Sequence, residues 1–194
     1  MFANYAFKIS GNIVKSSASD CVKKSNAVLA SAIDKTFLKS SILEPLKKMF
    51  WNAGEVIPNK LYRSHAPKAY QVEKLKELGI TTIFDLRGGD IPEDYLLALE
   101  KAGIKRINID MESDLSKSTG KIIEEVKEVL KDDKDVALVH CNMGLNRTGQ
   151  FVYLVERMIK ESTPEQASRS AFNSMGGNEA FQMEKLVKNL QNQK

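Results

Sequence analysis

Apolar positions along this chain follow two different periods, and the change between them divides it. Residues 27–50 place Leu29, Ile33, Phe37, Leu38, Ile42, Leu46 and Phe50 at near-helical intervals, which predicts an amphipathic helical lead-in. Pro45 falls inside this stretch. It is expected to bend or split the helix, because a mid-helix proline removes a hydrogen bond and clashes with the preceding turn. The apolar stripe is expected to pack on the main domain, with membrane or partner binding as the alternative. Further along, helices and strands alternate. A helix from Pro67 to Leu78 stops at Gly79 and is followed by the β-branched run Ile80 to Leu86. A second helix runs from Pro92 to Ala102, then a strand from Ile104 to Ile109, a helix from Lys121 to Leu130 and a strand from Asp135 to His140. Everything after Gly149 reads as helical. Strands separated by helices of this length predict an α/β fold on a largely parallel sheet covered on both faces.

The first 24 residues, rich in Ser, Lys, Asn and Ala, carry little periodicity. The chain therefore divides into a partly helical N-terminal segment, 1–54, and a domain spanning 55–194. Its 194 residues, 42% hydrophobic, suffice for one sizeable core but not for two full domains.

Charge and cysteine content narrow the chemistry. The net charge of +4 arises from 29 Lys and Arg interspersed with 25 Asp and Glu. That suits an anionic substrate without marking a nucleic-acid binder. Cys21 and Cys141 are the only cysteines and lie in different settings, so no disulfide framework is expected and a reducing compartment is the default. With only His65 and His140 beside them, no zinc-ligand spacing exists, and neither metal nor cofactor is expected. The N-terminus shows no basic patch followed by an apolar run, and no apolar run approaches the roughly 20 residues that span a bilayer. The reading is a soluble cytoplasmic protein, or one delivered into a host cell by a signal of another kind.

The chemistry concentrates where the last strand stops. Val136-Ala137-Leu138-Val139 is a buried-strand run delivering His140 and Cys141 to the carboxyl edge of the sheet, where open α/β folds place ligands. The loop Asn142, Met143, Gly144, Leu145, Asn146 then enters a helix beginning near Arg147. The free N–H groups and positive dipole end of that helix suit an anion. They also favour a thiolate at Cys141, since a thiol beside Arg at a helix N-terminus is far more acidic than a free one. Gly144 allows close backbone approach, and Arg147 offers a fork able to bind two phosphate oxygens.

Residues 140–149, His-Cys-Asn-Met-Gly-Leu-Asn-Arg-Thr-Gly, resemble the His-Cys-x5-Arg-Ser/Thr signature of the cysteine-based protein tyrosine and dual-specificity phosphatase superfamily. Leu61-Tyr62-Arg63-Ser64-His65-Ala66-Pro67 and Asp85-Leu86-Arg87 are similar to the opening of its atypical plant, fungal and bacterial members. Gly177-Asn178-Glu179-Ala180-Phe181 resembles a stretch before their last helix, without its proline and second glycine. The resemblance implies a three-layer αβα fold with four to five mostly parallel strands and a helical C-terminal half. It implies Cys141 as nucleophile forming a phosphocysteine, Arg147 and the backbone of Asn142, Met143, Gly144, Leu145 and Asn146 as phosphate clamp, and Thr148 assisting the sulfur as leaving group. His140 would orient the loop.

A general acid is implied on a loop about 30 residues before the cysteine. Alignment with the family's loop favours Asp114; linear distance favours Asp110, and Glu112 or no acid remain open. His65 reads as a surface or capping residue, and Arg63 and Arg87 as structural ion-pair formers outside the site. The implied substrates are phosphotyrosine, phosphoserine or phosphothreonine in a protein. Non-protein phosphates, namely inositol phosphates or an RNA 5′-triphosphate, and a phospho-partner binding module are the alternatives. Leu145 stands where enzymes acting on inositol pyrophosphates commonly carry lysine.

Overall fold

In the computed structural model, which describes residues 42–89, 91–111, 115–172 and 177–192, five short strands carry the architecture. The element order is α1 (Leu43–Met49), β1 (Gly54–Ile57), β2 (Leu61–Ser64), a single 3-10 turn (Ala69–Gln71) running into α2 (Val72–Glu77), β3 (Thr82–Asp85), α3 (Glu93–Ala102), β4 (Lys105–Asn108), α4 (Leu115–Lys131), β5 (Ala137–His140), α5 (Asn146–Met158), α6 (Pro164–Phe172) and α7 (Gly177–Gln191). The strands form one sheet in the order β1-β2-β5-β3-β4. Only the β1–β2 pair is antiparallel.

The register fixes where the site must be. Ser64 and Asp85 both pair with His140, and Asp85 also pairs with Asn108. The four parallel strands therefore stop in one row, and the segments beginning at His65, Leu86, Ile109 and Cys141 leave from a common edge.

Side chains alternate across the sheet, as the period of two requires. Ile83, Leu138 and Tyr62 join a cluster with Leu46 and Phe50 beside α1, Leu75 of α2, and Tyr95 and Leu99 of α3. Phe84, Ala137 and Val139 join the opposite cluster with Ile122 and Val126 of α4, Phe151 and Val152 of α5, Ala167 of α6 and Val187 of α7. Each fully buried side chain of this size contributes about 1.5–3 kcal/mol of transfer free energy. Helices on both faces give the expected three-layer αβα arrangement. The C-terminal helix is further tied to α5, where Glu184 accepts from Tyr153 Oη at 2.7 Å and from Arg157 Nε at 2.8 Å.

Several elements differ from the sequence-based expectation. Strand β1 was not foreseen, because it is an edge strand with only Val56 of its four residues buried. The helix expected over Pro67 to Leu78 is a 3-10 turn followed by a shorter α-helix. Helix α4 begins at Leu115, six residues before the expected Lys121, the extra residues being rich in Ser, Thr and Gly that signal helix poorly. Pro45 falls at the start of the described helix α1. It sits in the first turn, where the backbone N–H has no intrahelical partner to lose, and the first ladder bond runs from Leu46 N to Ile42 O at 3.0 Å. The expected helical stretch from 27 to 41 lies outside the described residues. Among the described residues no helix is long and apolar enough to cross a membrane.

Candidate active site

The loop from β5 to α5 is held close against the end of β2. Gly144 adopts φ +68°, and a Cβ there would lie 2.4 Å from the carbonyl oxygen of Ser64. Only glycine fits, both for its backbone conformation and for the approach. Ala66 N donates to Asn142 O at 3.0 Å, fastening the loop to the segment after β2.

Cys141 sits at the floor of this loop, almost fully buried. Burial pushes its thiol pKa up. Hydrogen bonds from the Thr148 hydroxyl and from the backbone N–H groups of Thr148, Leu145 and Gly144 outweigh that, holding the thiol below its usual value. Thr148 Oγ1 is buried with no other hydrogen-bond partner, and its contact with the sulfur falls short of a regular hydrogen bond. The side chain of Arg147 is fixed by a bond from Nη1 to Leu86 O at 3.0 Å, after β3. Cys141, Asn142, Met143, Asn146 and Arg147 line a cleft of about 330 Å³. This arrangement can hold a tetrahedral anion over a thiolate.

Behind the cysteine lies a buried charge network. Asp85, wholly buried, accepts from Arg87 Nε and Nη2, each at 2.9 Å, and from Arg106 Nε at 3.0 Å. Burial pushes its carboxyl up, but the Arg87 hydrogen bonds and the charges of His140 and Arg87 bring it down to about 2. Burial drives the His140 pKa down to about 4 against the opposing charge of Asp85. The ring is therefore neutral at neutral pH. Its Nδ1 lies 3.2 Å from Cys141 O. A carbonyl only accepts, so the proton belongs on Nδ1 and Nε2 accepts from the Tyr95 hydroxyl at 3.0 Å. Arg87 also stacks over the Tyr95 ring, 5.0 Å from its centroid.

The sequence-derived candidates fall into three groups. Cys141, Asn142, Met143, Gly144, Leu145, Asn146, Arg147 and Thr148 are brought together by one turn. Asp110 follows β4 and is exposed, its carbonyl accepting from Ser118 Oγ at 2.7 Å. Asp114 and Glu112 lie outside the described residues, as do the side chains of residues 177–180. Arg87 forms the expected structural ion pair, with Asp85. His65 is half-buried, its ring centroid 5.4 Å from Phe50 and 6.0 Å from Trp51.

Arg63 departs from expectation. Instead of an ion pair it donates from Nη2 to Gly144 O at 2.8 Å, and from Nη1 to Ser170 O and Ala171 O, each at 3.0 Å. Carbonyl partners have no sequence identity, so no residue pattern announces such contacts. Asp85, Tyr95 and Asn52 were likewise missed. Asp85 alone gave a usable signal, as a charged residue ending an apolar strand.

Likeness to known proteins agrees with this geometry. The chain resembles the crystal structure of TpbA from P. aeruginosa, 18% identical, with a TM-score of 0.56 over 72% of this chain and 91% of that one. The core catalytic domain of the PP-IP phosphatase SIW14 from S. cerevisiae is 22% identical, with a TM-score of 0.56 over 74% of this chain and 92% of that one. Tk-PTP is 16% identical, with a TM-score of 0.60 over 72% of this chain and 96% of that one. These likenesses establish the shared fold. A family model matches residues 51–167, more than half of the sequence, and the chain belongs to the tyrosine phosphatase family, the cysteine-dependent phosphatases.

Proposed function

We propose that this phosphatase hydrolyses phosphate monoesters of proteins through a phosphocysteine on Cys141. The observation that carries this reading is the single cleft at the end of β5 that Cys141 shares with Asn142, Met143, Asn146 and Arg147, in a loop whose N–H groups and Thr148 hydroxyl lower the thiol against its burial. The thiolate attacks phosphorus, and the bond to the leaving oxygen breaks as that oxygen takes a proton from the general acid. Water then attacks the phosphocysteine, the S–P bond breaks, and the acid, now a carboxylate, takes the water's proton. Inorganic phosphate leaves and the thiolate is restored. Arg147 and the backbone N–H groups of residues 142–147 balance the charge on the phosphoryl oxygens. Asp114 serves as the acid, with Asp110 as the alternative.

The cleft supports phosphotyrosine, phosphoserine or phosphothreonine as substrate. Asn142, Met143 and Asn146 are uncharged, leaving Arg147 as the one cation among the described lining residues, and Met143 is 54% exposed. A single phosphate on a partly apolar body suits such walls better than a polyanion. A thiolate nucleophile also suits a reducing compartment, and we infer the cytoplasm.

The test is hydrolysis of para-nitrophenyl phosphate, expected to persist in EDTA, to be blocked by vanadate and to vanish in Cys141→Ser. Retained activity in that variant would overturn the mechanism. In pH profiles of Asp114→Asn and Asp110→Asn, only the true acid should lose the basic limb. A panel of phosphopeptides, inositol phosphates and triphosphorylated RNA, compared by kcat/KM, decides the substrate class, and turnover of the RNA alone would refute a protein substrate.

A further inference from the structure

Two side chains far upstream of the loop grip two consecutive carbonyls within it. Asn52 Nδ2 donates to Met143 O at 2.7 Å across 91 residues of sequence, and Arg63 Nη2 donates to Gly144 O at 2.8 Å across 81. The two groups of a trans peptide are coplanar and point to opposite sides. A carbonyl held outward therefore turns the N–H of the next residue inward. Gripping Met143 O aims the N–H of Gly144, and gripping Gly144 O aims the N–H of Leu145. We propose that Asn52 and Arg63 are positioning residues that fix these two peptides of the phosphate loop, so that their N–H donors face sulfur and phosphate before substrate arrives.

The loop needs such a restraint at this point. Gly144 has no Cβ and adopts φ +68°, so the peptides on either side of it meet the least steric resistance to rotation. Arg63 is itself anchored at its other nitrogen. Its Nη1 bonds to Ser170 O and Ala171 O use carbonyls in the last described turn of α6, toward the negative end of the helix dipole. Burial lowers the guanidinium pKa while the charge of Cys141 raises it, so the cation and the sulfur feel one another. Asn52 adopts φ +55°, a left-handed conformation that asparagine tolerates better than most residues. The N–H groups of Gly144 and Leu145 are two of the donors that hold the Cys141 thiol down.

The inference rests on Cys141 as the nucleophile, and its test reads the thiol itself. Asn52→Gly removes the amide while keeping the left-handed backbone free, and Arg63→Lys keeps a charge but loses the fork. For each, the pH dependence of Cys141 alkylation by iodoacetamide and the vanadate inhibition constant are measured beside kcat and KM. The expected result is an alkylation midpoint moved to higher pH, weaker vanadate inhibition, and a kcat/KM about tenfold lower through kcat. A purely structural role would lower the melting temperature and leave the alkylation profile of folded protein unchanged. Profiles and vanadate constants matching the wild type in both variants would overturn the proposal. Should Arg63→Lys fail to fold, Asn52→Gly decides, because Asn52 is an exposed side chain. Failure of the phosphocysteine reading would appear separately, as activity retained in Cys141→Ser.

Discussion

The hydroxyl of Tyr95 lies 3.0 Å from Nε2 of His140 inside the core, and His140 in turn reaches the backbone carbonyl of Cys141 at 3.2 Å. A residue on α3 is thus linked through one neutral imidazole to the start of the phosphate loop. Tyr95→Phe removes the donor and leaves a buried nitrogen unsatisfied, which costs about 1–3 kcal/mol. The urea midpoint should fall accordingly. Well below the melting temperature kcat should change little, since Tyr95 does not line the cleft; a large kcat loss at full stability would show that the link serves the loop itself.

The same network makes stability depend on pH. His140 titrates near 4 when folded, because burial disfavours its charge, against about 6.5 unfolded. Between those values the unfolded chain binds the extra proton, so stability falls as pH falls from about 6.5 to about 4. Asp85, near 2 when folded despite its burial because of the Arg87 hydrogen bonds, acts in the same direction over the next interval. Its contribution, complete above the unfolded carboxylate value of about 3.9, is lost as pH falls through about 2. Stability read from urea unfolding should decline below about pH 6.5, by an amount on the order of a few kcal/mol in total. His140→Gln should flatten the upper interval alone. An unchanged slope there would assign the acid sensitivity to other groups.

These relationships mark the boundary of what the sequence discloses. Strand β5 and the loop after it were legible because their determinants are contiguous: four buried residues from Ala137 to His140, then a nucleophile, a glycine and an arginine within one turn. Strand β1 was not, since its partner Arg63–Leu61 segment, rather than its own pattern, makes it a strand. Arg63 could not be placed either. It bonds carbonyls 81, 107 and 108 residues away, and a carbonyl is offered by every residue alike. Residues whose partners are backbone atoms are readable only once the fold has brought the segments together.

Gly144 supplies a sharp steric prediction. A methyl group there would lie 2.4 Å from Ser64 O and 2.7 Å from His65 N, both backbone atoms that cannot rotate aside. Gly144→Ala should therefore displace the loop relative to β2 while leaving the two hydrophobic clusters intact. A displacement near 1 Å at a reacting group costs about 100-fold in rate. The expected outcome is a near-wild-type circular dichroism spectrum with kcat/KM reduced by about that factor. Wild-type turnover would mean that the close packing of loop and strand is not what sets the phosphate geometry.

Thr148 allows the chemistry of the sulfur to be separated from the stability of the fold. Its hydroxyl is buried without a nitrogen or oxygen partner, so Thr148→Val discards a desolvated polar group at almost constant volume and should not lower the melting temperature. Burial raises the Cys141 thiol pKa, and the Thr148 hydroxyl is the foremost of the contacts that lower it. Its removal should therefore move the alkylation midpoint to higher pH, and with it the acidic limb of kcat/KM, because less thiolate is present at a given pH below the midpoint. Thr148→Ser, which keeps the hydroxyl, should restore both. The phosphocysteine should also break down more slowly in the valine variant, since the departing thiolate loses a hydrogen bond, and rapid-quench measurements should then show a larger burst of released alcohol. An unmoved midpoint in Thr148→Val would assign the thiol's acidity to the backbone N–H groups of Gly144, Leu145 and Thr148 together with the nearby arginine charges.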